Sequence, residues 1–308
     1  MSFREKAQVL NEFWLKVFAI VFMTFDHIGL FMMSSGFAAV EGTANYEIAL
    51  AFRIVGRLAF PLFALMLAEG MHKTHDRANY LFRIALVWAG ILVVEVVLVQ
   101  TGLYDSSALW AQAFTDLLLY GLFIYFFEKK GWRKALALVP LAYILVSYAA
   151  GVSENFAYEN GLTSVWSSYF PYYMRSDYSL LGFLMFLGFY YASPLAERLL
   201  KTMTNVSGED FAAAKKEKSY QSLLNSLYLT GLVLSTVLFW AIYRFAPEFD
   251  VYSNSSDSWI QSYCILAGIW IFLYNGKRGY DAKWFRYAEY GYYPVHIALI
   301  ALIFGLIS

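Results

Sequence analysis

Cysteine is almost absent from this chain: Cys264 stands alone among 308 residues. One thiol cannot form an internal disulfide or a cysteine-rich zinc site. Charge is scarce too. Asp, Glu, Lys and Arg make up 15% of the chain, against about 25% in an average soluble domain. The 23 basic and 23 acidic residues cancel, so the total suggests no nucleic-acid partner. No cleavable leader is expected either. Residues Met1 to Lys16 are mixed and polar, and no small-residue cleavage pattern follows the first apolar run. That run is expected to remain as a membrane anchor.

What the chain has in quantity is apolar surface. Hydrophobic residues make up 60% and aromatics 20%, and the mean hydropathy is +0.50. This excludes disorder, which needs low hydrophobicity and high charge. It also argues against a soluble enzyme. A helix needs about 20 mostly apolar residues to cross the hydrocarbon core. Nine stretches qualify or come close: Trp14–Gly36, Glu47–Met71, Ala78–Gly102, Ala108–Glu128, Lys134–Gly151, Asp177–Ala196, Leu223–Phe245, Trp259–Tyr274 and Tyr287–Ile307. The expected fold is an all-α, polytopic membrane bundle forming one domain. Residues Asn155–Arg175 are aromatic but not continuously apolar, and read as a loop or a re-entrant or interfacial segment.

Charge placement gives the bundle an orientation. With the N-terminus inside, 19 of the 23 Lys and Arg residues fall in inside segments, and the outside loops hold little beyond Arg175. This satisfies the positive-inside rule at every loop, and predicts a cytoplasmic N-terminus and an outer C-terminus. The polar stretch Lys201–Tyr220, with Asn205 and Ser207 in it, reads as a cytoplasmic loop, a short surface helix or a divider between front and rear helices. Trp14, Trp110, Trp132, Trp166 and Tyr287 flank spans as interfacial anchors.

Ionisable residues inside a span are costly and are functional candidates by default. The first span carries Asp26-His27-Ile28-Gly29, and the second carries Arg53 and Arg57, one helical turn apart on one face. At 1.5 Å per residue, His27 lies roughly 20 Å from the inner end, and Arg57, Asp116 and His296 roughly 12 to 15 Å into their spans. Glu95 is in the outer half of the third. These groups converge on one central or slightly outer layer. The plainer alternative is a structural ion-pair network, with Arg53 or Arg57 against Asp26, Asp116 or Glu95. His72 and His75 fall at the inner edge, and their spacing is too weak to propose a metal.

Asn275-Gly276-Lys277-Arg278-Gly279 is a turn bearing two cations. Glycine and asparagine permit positive φ there. It reads either as an ordinary positive-inside loop or as a site for an anionic headgroup or phosphates, with Lys73 and Arg77 able to contribute.

Several of these segments resemble one family. They are Leu15-Lys16 leading to Asp26-His27-Ile28-Gly29; Arg53-Ile54-Val55-Gly56-Arg57-Leu58-Ala59-Phe60-Pro61-Leu62-Phe63-Ala64 continuing to Ala68-Glu69-Gly70; Asp177-Tyr178 leading into Gly182; and Leu273–Gly279 followed by Tyr292-Tyr293-Pro294-Val295-His296. Together they resemble the TraX family, named for the F-pilin N-terminal acetyltransferase, over nearly the whole chain. That family is similar in turn to the broader transmembrane acyltransferases. The resemblance implies a bacterial cytoplasmic-membrane acyltransferase that takes an acetyl or other acyl group from cytoplasmic acyl-coenzyme A, with no metal. It places the catalytic role on His27 and a shared arginine on Arg53 or Arg57.

Under that reading Lys277, Arg278, Asn275, Lys73 and Arg77 meet the donor. His27 is a general base or a transient acyl carrier. Adjacent helical residues point about 100° apart, so Asp26 is a poor holder for the His27 ring, and Asp116 or Glu95 from another helix is preferred. Arg53 or Arg57 stabilises the oxyanion, and His296 is a second acid–base group or shapes the acceptor pocket. The acceptor is an unidentified amine or hydroxyl on a glycan, lipid or peptide. The outer aromatics Trp166, Tyr169, Tyr172 and Tyr173 stack on a sugar, hold a lipid or form an interfacial belt. The competing class is a proton-coupled transporter or flippase using the same buried charges, although no inverted repeat is visible.

Overall fold

The computed structural model describes residues 3–38, 40–102, 111–204, 208–251 and 259–307. Among them the regular secondary structure is all helical, apart from one isolated bridge between Leu10 and Tyr274. In chain order the helices are α1 (Phe3–Ala7), α2 (Glu12–Ser34), α3 (Ala44–Gly56), α4 (Ala59–Lys73), α5 (Arg77–Gln100), α6 (Ala113–Phe127), α7 (Leu138–Glu159), α8 (Trp166–Tyr169), α9 (Ser179–Thr204), α10 (Gly208–Ala214), α11 (Lys218–Phe245), α12 (Gly268–Leu273) and α13 (Lys283–Ile307).

Among the described residues, six helical stretches are long and apolar enough to cross a membrane: Glu12–Ser34, Ala44–Lys73, Arg77–Gln100, Gly131–Glu159, Tyr172–Met203 and Lys218–Phe245. The protein is therefore a multi-pass helical membrane protein. The other three expected stretches are helical but differ in kind. Ala113–Phe127 and Trp259–Leu273 are shorter apolar helices. The first half of α13 is polar, carrying Glu289, Tyr290, Tyr292, Tyr293 and His296. The Asn155–Arg175 region has no long helix, only the end of α7, the four-residue α8 and a single tight turn at Tyr172–Met174. Within Lys201–Tyr220 the described part includes the short helix α10. Asn205, Ser207 and Trp110 lie outside the described residues.

Helix ends follow local chemistry. Asn11 caps α2 by accepting the Trp14 N–H at 3.2 Å. Asp76 caps α5 in the same way, accepting from Asn79 at 3.0 Å; the Asn79 backbone hydrogen bond holds the Asp76 carboxyl below its usual range. The second span is not continuous. It breaks at Arg57–Leu58, between α3 and α4. Pro61 explains the break, since its ring has no N–H to give the Arg57 carbonyl and clashes with it in a regular helix.

The second span and the span containing α9 sit at the centre, with 61% and 56% of their apolar windows buried, against 28–33% for the other four. Leu62, Ala64, Leu65 and Met71 of α4 and Phe186 and Phe189 of α9 are fully enclosed. The peripheral α5 is apolar on both faces. It buries Leu81, Ile84 and Ile91 and exposes Phe82, Leu86, Val93, Val96 and Val97, as a helix between protein and lipid does. No hydrophobic drive separates helix from lipid tails, so close packing must hold the helices together. α9 and α11 achieve it through facing glycines: a Cβ on Gly188 would lie 3.1 Å from the Gly231 Cα.

The chain before α2 is tied to the turn after α12. Leu10 N–H donates to Leu273 O at 2.9 Å, Asn275 N–H to Leu10 O at 2.8 Å, and Glu12 N–H to Lys277 O at 2.8 Å. This ties the N-terminal segment to the turn that precedes α13. Replacing Gly188 with Val forces α9 and α11 apart and is expected to cost about 1–3 kcal/mol by overpacking. Thermal unfolding of purified protein in detergent checks this.

Candidate functional site

A cavity of about 390 Å³ opens among α2, α3, α4, α6 and α13, with Asp26, His27, Arg53, Arg57 and His296 in its wall. The helix break at Arg57 and the close approach of α2 to α3 form part of its wall. Gly56 lets the approach happen: a Cβ there would sit 2.2 Å from the Asp26 Cβ.

Asp26 binds both arginines. Arg53 Nη1 donates to Asp26 Oδ2 at 2.8 Å, and Arg57 Nη2 donates to Asp26 Oδ1. The ion-pair partners left open by sequence thus resolve to one carboxylate, shared by two guanidinium groups that are 7% and 5% exposed. Asp177 lines the same cavity, so acidic and basic groups share the wall, and the guanidinium N–H groups are donors of the kind a developing oxyanion needs.

His27 faces another helix. Its Nδ1 lies 2.7 Å from Nε2 of His296, and the rings are tilted by 30° with centroids 4.9 Å apart. His296 is 4% exposed, and its Nδ1 lies 2.9 Å from the Tyr292 carbonyl. The Tyr292 ring stacks on it at 1°. The Tyr292 hydroxyl meets Thr24 Oγ1 at 2.6 Å, and Thr24 donates to Ile20 O at 2.8 Å. The partner expected to hold His27 was Asp116 or Glu95; the structure supplies His296 instead.

Asp116 is occupied elsewhere. It is wholly buried and accepts the backbone N–H groups of Asp177 at 2.9 Å, Tyr178 at 3.1 Å and Ser179 at 3.1 Å. The hydroxyls of Tyr120, at 2.9 Å, and Ser176 also donate to it. It therefore caps α9 from a neighbouring helix, where Ser179 has a positive φ of 46°. Glu95 accepts from Gln112, and its second oxygen is buried with no hydrogen-bond partner among the described residues.

Several wall residues were not foreseen. Arg175, read from the sequence as an outer-loop cation, is 1% exposed, pairs with Glu154 through both terminal nitrogens and donates from Nε to Phe170 O at 2.8 Å. Asp177, Gln112 and Gln261 also line the cavity. The Asp177-Tyr178 pair was a sequence signal for this wall; nothing local marked Arg175 or Gln112.

The proposed donor residues divide into two groups. The Asn275 Oδ1 accepts the Lys277 N–H at 2.9 Å, and Gly276 and Gly279 have φ of 70° and 72°. Lys277 and Arg278 are exposed on this turn, with Arg278 pairing with Asp281 at 3.0 Å. Lys73 lies beside the turn, 2.5 Å from Glu69 and 3.4 Å from the Tyr274 hydroxyl. Glu69 also accepts from Tyr274 at 2.5 Å and Tyr228 at 3.2 Å. Arg77 belongs to a different cluster, paired with Glu128, which takes the Tyr190 hydroxyl.

Fold and site together define a multi-span helical membrane protein with a charged, histidine-bearing cavity inside the bundle. A family profile described as TraX protein matches residues 12–195, more than half of the chain. The chain belongs to the TraX family. The match takes in Asp26, His27, Arg53, Arg57, Asp116 and Asp177; the resembling segments at Leu273–Gly279 and Tyr292–His296 lie beyond it. The chain is also similar to the probable fimbrial assembly protein FimC, serogroup H1, of Dichelobacter nodosus. The two are 35% identical over 82 residues, which is 27% of this chain and 29% of that protein. The chain thus spans less than a third of that relative's length in the match. No solved structure matches.

The Asp116 arrangement is testable. Asp116→Ala leaves two buried N–H donors, of Tyr178 and Ser179, and the part-buried one of Asp177 without their acceptor, at about 1–3 kcal/mol for each buried group. A clear fall in the thermal midpoint is expected, together with faster proteolysis near residues 176–179.

Proposed function

We propose that this chain is a membrane acyltransferase that uses acyl-coenzyme A, most simply acetyl-coenzyme A, and delivers the acyl group to an amine or hydroxyl at or across the bacterial cytoplasmic membrane. The observation that carries the reading is the His27–His296 contact at 2.7 Å on the same cavity as the Arg53–Asp26–Arg57 cluster. Acyl transfer needs a base for the acceptor proton and donors for the oxyanion, and both lie on one cavity wall. Nine crossings with an inner N-terminus follow from the distribution of basic residues and put the Lys277–Arg278 turn and Lys73 on the donor's side.

The chemistry follows from this placement. His27 takes the proton from the acceptor N–H or O–H as that atom attacks the thioester carbon. The carbonyl oxygen gains charge opposite the Arg53 and Arg57 guanidinium groups. Collapse of the tetrahedral species expels the coenzyme A thiolate, and the proton held by His27 passes to it. No net proton is gained or lost. The exposed cations Lys277 and Arg278 meet the donor's phosphates as charge-assisted contacts, with Lys73 beside them. Arg77, in a separate cluster with Glu128, is a further candidate for the same phosphates.

One observation favours the transporter reading: α3 and α4 form a span broken at the depth of the buried charges, as in many transporter sites. Purified protein in detergent separates the two. An acyltransferase binds and slowly hydrolyses acetyl-coenzyme A; a transporter moves solute in proteoliposomes without it. His27→Ala is expected to lower acetyl transfer by about 10²–10⁴-fold with folding intact by circular dichroism. Wild-type turnover in that variant overturns the assignment. Arg57→Lys, which loses the planar fork, is expected to lose about 10²-fold in the same assay.

A further inference from the structure

We propose that His296 is a positioning residue that holds His27 in a single tautomer, with the proton on Nδ1 and a bare Nε2 available to the cavity. Atom types give the direction of each hydrogen bond. The Tyr292 carbonyl can only accept, so the His296 nitrogen 2.9 Å from it, Nδ1, carries a proton. In a neutral ring the other nitrogen, Nε2, then has the lone pair. His27 Nδ1 lies 2.7 Å from that lone pair and must be the donor. The proton of His27 is thereby placed on Nδ1, and Nε2 is the nitrogen left for chemistry.

The alternative direction needs His296 to be an imidazolium. Burial opposes that cation: His296 is 4% exposed, and among the described residues no carboxylate is hydrogen-bonded to it. The ring is also held in place. Tyr292 stacks flat on it, and since Thr24 gives its own proton to Ile20 O, the Tyr292 hydroxyl is the donor to Thr24 at 2.6 Å. α2 and α13 are thus locked together one turn below the histidine pair. His27 is a partly buried wall residue, and no protein group among the described residues bonds its Nε2.

The tautomer stands on geometry alone; its purpose, to present a base, rests on the acyl-transfer reading. The test uses full-length protein labelled with ¹⁵N-histidine, reconstituted in lipid and studied by NMR of the ring nitrogens. Signals are assigned by their loss in His27→Ala and His296→Ala. Wild-type His27 is expected to show a protonated Nδ1 and an unprotonated Nε2. His296→Gln, whose amide oxygen still accepts, is expected to keep that state, and His296→Leu to lose it. A wild-type His27 protonated on Nε2, or an unchanged Nδ1–H state in His296→Leu, overturns the proposal.

Acetyl transfer from acetyl-coenzyme A, read in the same variants, separates the two layers. His296→Gln should stay within about tenfold of wild type, and His296→Leu should fall about 10²-fold or more. The expected tautomer with undiminished turnover in His296→Leu would overturn the catalytic reading of His27 and leave the tautomer standing. Loss of acetyl-coenzyme A binding by wild-type protein would overturn the acyltransferase reading alone.

Discussion

The Arg53–Asp26–Arg57 cluster is the constraint around which the rest of the cavity is organised. Three ionised side chains within a membrane bundle are costly to insert singly, and none of them is tolerable without the others. Removing one partner of a buried ionic group typically costs about 3–5 kcal/mol, because it leaves an uncompensated charge. The backbone is arranged to permit the contact. Gly56 lets α2 approach until Asp26 lies against it, and the one-turn spacing of Arg53 and Arg57 brings both guanidinium groups to one carboxylate.

The orientation of His27 follows from that clamp. Asp26 is turned towards α3, so the next residue along the helix is rotated about 100° away and meets α13. The break at Arg57–Leu58, forced by Pro61, leaves the space into which both residues look. One wall of the cavity is therefore anchored by ion pairs, and the adjacent one is a pair of imidazoles anchored by a backbone carbonyl. Asp116 acts one step further back, where it pins residues 177–179 and with them the Asp177 wall.

Much of this was legible in the chain. The all-helical membrane class followed from apolar runs, and the ionisable residues Asp26, His27, Arg53, Arg57 and His296 stood out by being expensive where they are. All five line one cavity. The pairings were less legible. A carboxylate was sought for His27, because carboxylates usually orient catalytic histidines, and the partner proved to be a second histidine 269 positions away. Asp116 carried the same sequence signal as Asp26, a carboxylate within a span, yet its neighbours are the N–H groups of another helix's first turn. Arg175 looked like a loop cation because its burial depends on Glu154, 21 residues earlier.

By itself the sequence determined the class of protein, the approximate positions of the long apolar helices and which ionisable groups lie within them. Each of these depends on transfer of side chains between water and hydrocarbon, and that cost is local and additive along a helix. Tertiary structure alone decided which charge meets which, where the second span breaks open into a cavity, and that the His27 ring answers to His296. Those outcomes depend on helix rotation and on approach distances of a few ångströms between segments far apart in the chain, which no single segment encodes.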